Sequence, residues 1–128
     1  MPKFLLLLLC GALIPLLGIG CRPVEPTAYT YSVQIETSEN KADGRLVSLT
    51  TPDTTMSALL HDAGIQTTLQ PRGTEMYVTS LDGVIATLSK EWHLYINNTL
   101  TPLTQLEAIP VHASDTIEWK YESPIQQN

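Results

Sequence analysis

Three histidines, His61, His93 and His112, are the side chains best suited to chemistry near neutral pH, because imidazole both carries protons and ligates metals. No two of them stand at the short spacing of a zinc-ligand pair, so no metal centre is expected. No serine sits in a nucleophile elbow, and neither a phosphate loop nor a metal box is present. The acidic residues are scattered rather than paired, which leaves no general acid and base. Of the two cysteines, Cys10 lies inside an apolar run and Cys21 just beyond it, so the cysteine that remains after that run can form no internal disulfide. These residue types predict a protein that binds, not an enzyme.

The setting of Cys21 gives it a different use. Met1-Pro2-Lys3 is a short positive region, Phe4 to Leu17 an apolar run, and Gly18-Ile19-Gly20 a small-residue cleavage site, so residues 1–20 read as a secretory signal peptide. A spanning helix needs about 20 apolar residues, and Pro15 with the glycines shortens this run. Leu17-Gly18-Ile19-Gly20-Cys21 resembles the lipobox of bacterial lipoproteins, with Gly18 standing where leucine is usual. The resemblance implies a diacylglycerol on Cys21, which then becomes the first mature residue. Acyl chains bind a bilayer at about 0.8 kcal/mol per buried CH2, and two or more of them make a firm anchor. The expected location is therefore extracytoplasmic and lipid-anchored to the cell membrane. Arg22 lacks the aspartate that resembles a retention signal, so in a diderm cell the outer membrane is the default. Residues 21–29 are the lipidated cysteine and a tether, extended by Pro23 and Pro26.

Removal of residues 1–20 takes Lys3 away and leaves six basic residues against thirteen acidic ones, a formal charge of -7. That balance argues against nucleic acid as a partner. The elements that position the remaining chemistry follow from periodicity. Tyr31, Val33 and Ile35 alternate with Ser32, Gln34 and Glu36, which predicts a first strand. Asn40 to Gly44 is a turn cluster with Asp43-Gly44 as its sharpest signal, and Arg45 to Thr50 resumes as a strand, so a hairpin is expected. Thr55 or Asp53 can cap a short helix in which Met56, Leu59, Leu60 and Ala63 recur at helical spacing and Gly64 terminates the turn. Pro71 and Gly73 predict an irregular stretch over 65–74, followed by a strand from Met76 to Ser80 and a turn at Asp82-Gly83.

Two aromatic-rich strands close the domain. Trp92, Leu94 and Ile96 fall on one face of the first and His93, Tyr95 and Asn97 on the other. In the second, Ile117, Trp119 and Tyr121 alternate with Thr116, Glu118 and Lys120. A long connection through Pro102 and Pro110 joins them, and residues 123–128 form a polar tail. The whole is an α+β domain over 30–122, a small mixed sheet of about five strands covered by one short helix.

Four blocks of this pattern resemble the DUF4430 family. They are Thr55 to Gly64, Tyr77 to Val84, Trp92 to Asn98, and Asp115 to Tyr121. The family is similar to the C-terminal domain of the vitamin B12 carriers transcobalamin and intrinsic factor. Its central strand ends in Asn-Gly where this chain has Asn97-Asn98, and its last strand follows Gly-Asp where this chain has Ser114-Asp115. The resemblance implies a β-grasp-like fold and a ligand such as cobalamin or another corrinoid, with no resident cofactor. It points to Trp92, His93, Tyr95, Asn97 and Asn98 as ligand-binding residues, Trp92 acting as an aromatic platform where exposed. His93 or His112 could donate to a corrinoid cobalt. The alternative expectation is an adhesion or assembly module that pairs with an envelope protein through a sheet edge.

Overall fold

The computed structural model describes residues 26–125. The expected signal peptide, Cys21, the first part of the expected tether and the last three residues of the expected tail lie outside the described residues. Strand β1 (Tyr29–Ser38) begins one residue before the expected domain boundary and continues two residues past Glu36. It turns at Glu39-Asn40 into β2 (Lys41–Leu49), with a register irregularity between Glu36 and Ser38. The hairpin is therefore present, but its turn is not Asp43-Gly44, which lies inside β2 with Gly44 opposite Gln34. Nine residues of pairing outweigh a local turn preference, and an edge strand tolerates the glycine.

After the short strand β3 (Asp53–Thr55), helix α1 (Met56–Asp62) starts where the capping signal predicted. The Thr55 hydroxyl accepts the Ala58 N–H at 3.2 Å. Gly64, at φ +70°, takes the left-handed position after the last turn. A helix of seven residues cannot persist alone in water. Met56, Leu59 and Leu60 are buried in the same apolar cluster as Tyr31, Val33, Ile35, Leu94, Ile117 and Trp119, and this burial stabilises it.

The stretch expected to be irregular is strand β4 (Thr67–Arg72), paired with β5 (Glu75–Leu81). Pro71 is accommodated because β4 is an edge strand, where a missing N–H costs no ladder bond. The turn at Asp82-Gly83, both residues at positive φ, leads into β6 (Val84–Ile85). These three strands form their own sheet, so the Met76–Ser80 segment is not part of the main one.

Strand β7 (Glu91–Ile96) turns through Asn97-Asn98 into β8 (Thr99–Thr101), which lies within the expected long connection. The rest of that connection holds a single 3-10 turn at Leu106–Ala108 and strand β9 (Pro110–His112), which pairs with β3. Strand β10 (Thr116–Glu122) follows. The main sheet has five strands in the order β2-β1-β10-β7-β8. It is mixed, because β1 and β10 are parallel neighbours while the other pairs are antiparallel. Nearly the whole domain is thus the crossover between its first and last strands. The result is a small domain, mostly strand with one helix.

Candidate functional site

The site is built on the two halves of β7. From Leu94 to Ile96 it is paired on one side with β10 and on the other with β8. From Glu91 to His93 the β8 side has no strand partner among the described residues. Strand β5 approaches there instead, held by the Met76 N–H donating to the Leu103 carbonyl at 2.8 Å. The gap between the two sheets is a cavity of about 260 Å³ lined by Arg72, Glu75, Tyr77, Glu91, Trp92, His93, Leu100, Leu103 and Ile125, among others.

Its polar wall, Arg72, Tyr77, Glu91 and His93, is one end of a continuous set of paired groups. Arg72, at the end of β4, lays its guanidinium 4.3 Å from the centre of the Tyr77 ring. It donates to both Glu91 oxygens, at 3.0 and 3.4 Å. Glu91 is also 3.0 Å from His93 Nε2, and His93 Nδ1 is 2.9 Å from Glu122. Tyr95 donates its hydroxyl to the same Glu122 oxygen at 2.5 Å. Lys120 then lies over the Tyr95 ring at 4.8 Å and reaches Glu118 at 3.5 Å. The alternation of β7 and β10 puts Glu91, His93, Tyr95, Glu118, Lys120 and Glu122 on the face opposite the apolar cluster.

Charge follows from these contacts. Burial pushes the Glu91 carboxyl up, but hydrogen bonds from Arg72 and His93, with their charges, outweigh it and hold the group below the usual carboxylate range. The Tyr95 hydroxyl is pushed up to about 12, chiefly by its hydrogen bond to Glu122 and then by burial. Tyr95 is therefore a fixed donor throughout the physiological range. The Arg72 guanidinium is held further up by Glu91, against the opposing effect of burial.

The residues expected from sequence divide. His93 and Tyr95 belong to the polar network, and His93 lines the cavity. Trp92 is buried and cannot be an exposed aromatic platform. Its indole N–H donates to the Val84 carbonyl at 3.0 Å, and its ring lies 5.0 Å from that of Tyr121. It contributes part of the cavity wall. Asn97 and Asn98 are not brought to the cavity. They form the turn at the far end of β7, about 20 Å of strand from Glu91. Both take positive φ, +52° and +64°, which asparagine tolerates better than most residues. The Asn97 side chain is also committed, its amide donating to Asp115 and its oxygen accepting the Thr116 N–H, each at 2.9 Å. Asp115 also accepts the His112 N–H, which fixes its place after Ser114.

Sequence reasoning missed Arg72, Tyr77, Glu91 and Glu122. Glu91 was adjacent to the named strand and in register with His93, and that alternation could have found it. Arg72 offered no signal beyond its place before Gly73. The other two histidines stand apart, His61 exposed on α1 and His112 beside Asp53 between β9 and β3. Among the described residues no group of three or more His, Cys, Asp or Glu is arranged to hold a metal ion. No helix among them is long and apolar enough to cross a membrane.

No family model matches the chain, and no curated protein matches it. Solved structures do. One from Ruminococcus gnavus, described as a "putative metal binding protein", superposes with a TM-score of 0.55 over 76% of this chain and 99% of that one, at 11% identity. At that identity the likeness shows a shared fold.

Proposed function

We propose that this protein is an extracytoplasmic lipoprotein of the DUF4430 type, anchored through Cys21, whose β-grasp-like domain binds a small ligand and catalyses no reaction. The observation that carries the reading is the cavity beside β7, where a buried carboxylate, an imidazole, a stacked guanidinium and apolar side chains converge. A few placed polar groups on an apolar wall are the usual composition of a ligand site. At about 260 Å³ the cavity lies just below the roughly 300–1,000 Å³ of drug-sized sites, so it suits a small molecule or one arm of a large one. A corrinoid, the ligand to which the family resemblance points, would insert a peripheral group and leave its ring outside. The description of the Ruminococcus gnavus protein adds a metal ion as a candidate. For this chain that requires displacing Glu91 or Glu122 from His93, because both ring nitrogens are already engaged.

Trp92 lines the cavity, so its fluorescence reports occupancy. Titration with hydroxocobalamin, and separately with zinc, is expected to give a saturable change in one arm, absent from Trp92→Phe. No saturable change in either arm up to about 1 mM, the edge of useful affinity, would overturn both ligands. The anchor is tested independently by labelling cells with radioactive palmitate. Cys21→Ser should abolish the label and release the protein from the membrane fraction. A second reading is favoured by the β2 edge, nine residues paired on one side, with Leu46 75% exposed. There an envelope protein would add a strand. A proline at Ser48 should then abolish capture of that protein without changing the Trp92 response.

A further inference from the structure

We infer that the cavity selects a planar organic cation, such as an amidinium or guanidinium, and that Arg72 is the chain's own stand-in for it. The inference rests on the proposed site being a ligand site. The receptor and the cation within it are unequally held. Glu91 keeps only 9% of its side chain in contact with solvent, while the Arg72 side chain that pairs with it is 58% exposed. Arg72 sits at the last position of an edge strand, immediately before the Gly73 turn, and reaches in from outside. The fixed parts are the carboxylate, which presents two oxygens to a fork of N–H donors, and the Tyr77 face against which the fork lies flat.

An ion pair with one partner largely in water contributes little to stability, so a second planar cation can replace the Arg72 head at small loss. With that head displaced, the cavity wall carries Glu75 and Glu91 against His93 alone. The field then favours a positive ligand and opposes an anion. Leu100, Leu103 and Ile125 supply apolar surface for a short organic body beyond the charged head.

Benzamidine, benzamide and benzoate share one shape and differ in charge, so together they isolate the selection. The full chain, in detergent, would be titrated with each by Trp92 fluorescence and by the NMR signals of the His93 ring. Benzamidine is expected to bind and the other two not. Arg72→Ala should tighten benzamidine by up to about tenfold, the size of the competing pair and stack. Glu91→Gln, which keeps shape and removes charge, should weaken it by at least about thirtyfold. Tyr77→Leu provides a second test in which the carboxylate is untouched, and should also weaken it. Benzoate binding in preference to benzamidine would overturn the cation inference and leave the cavity as a ligand site. Equal benzamidine affinity in wild type and Arg72→Ala would overturn the role of Arg72. Failure of all three probes on every variant, with hydroxocobalamin or zinc still giving a saturable response, would overturn the cation inference and leave the ligand site; failure of those two as well would overturn the site itself.

Discussion

Strands β7 and β10 present two faces to two different environments. On one face Leu94, Ile96, Ile117 and Trp119 join the apolar cluster under α1, and on the other His93, Tyr95, Glu118, Lys120 and Glu122 pair with one another. The apolar face is held by burial, which has no direction and scales with area, so a side chain of similar volume can replace another. The polar face is held by directed pairs, in which each partner has a set atom to meet. Volume is the relevant variable on the first face and chemical identity on the second. Function belongs on the face where identity matters.

The largest effect expected is on the apolar face. Trp119 is fully buried, and Trp119→Ala should cost about 3–5 kcal/mol in urea unfolding. A loss well below that range would mean the two faces are not so different. On the polar face, Glu91→Ala leaves His93 and Arg72 without a shared acceptor and should cost about 1–3 kcal/mol. Arg72→Ala, at the exposed end of the same pair, should cost no more than about 1 kcal/mol. Equal losses in these two variants would break the distinction between a fixed carboxylate and a replaceable cation.

Acid titration sharpens the same comparison. The folded Glu91 carboxyl lies below the usual carboxylate range, so its contribution to stability is complete above that range and is lost as pH falls through the folded value. Glu91→Gln should flatten the stability curve in that acid window and lower it near neutrality, where the contribution of the carboxylate is complete. At the far end of β7, Asn98→Gly relieves a left-handed asparagine and should stabilise by about 0.5 kcal/mol, seen as a small rise in Tm. The smallest effect is expected at His112. Hydrogen bonding to Asp53 pushes its imidazole above the usual value, so the pair supports the fold below pH 6.5 and the support is lost as pH rises through the folded value. Both groups are exposed, and Asp53→Asn should remove this slight slope.

Much of the fold was legible because side-chain direction follows backbone period. The alternation from Trp92 and from Thr116 put the correct residues on each face. The Thr55 cap and Gly64 marked the helix because orphan backbone groups at helix ends need those residue types. Turn residues misled where pairing competed with them. Asp43-Gly44 lies within a strand, and Pro71 did not prevent β4, since strand pairing across a hairpin stabilises more than one local preference. At the site, His93 and Tyr95 were legible from their face, whereas Arg72 was not.

The sequence by itself determined which residues share a face and where the helix begins and ends, because these depend on neighbours a few residues apart. Tertiary structure alone decided that β1 lies parallel beside β10, that β8 stops short of Glu91, and that Arg72 crosses from a second sheet to fill the gap. Those outcomes depend on how separate segments pack, and no local period encodes a contact between strands nineteen residues apart in the chain.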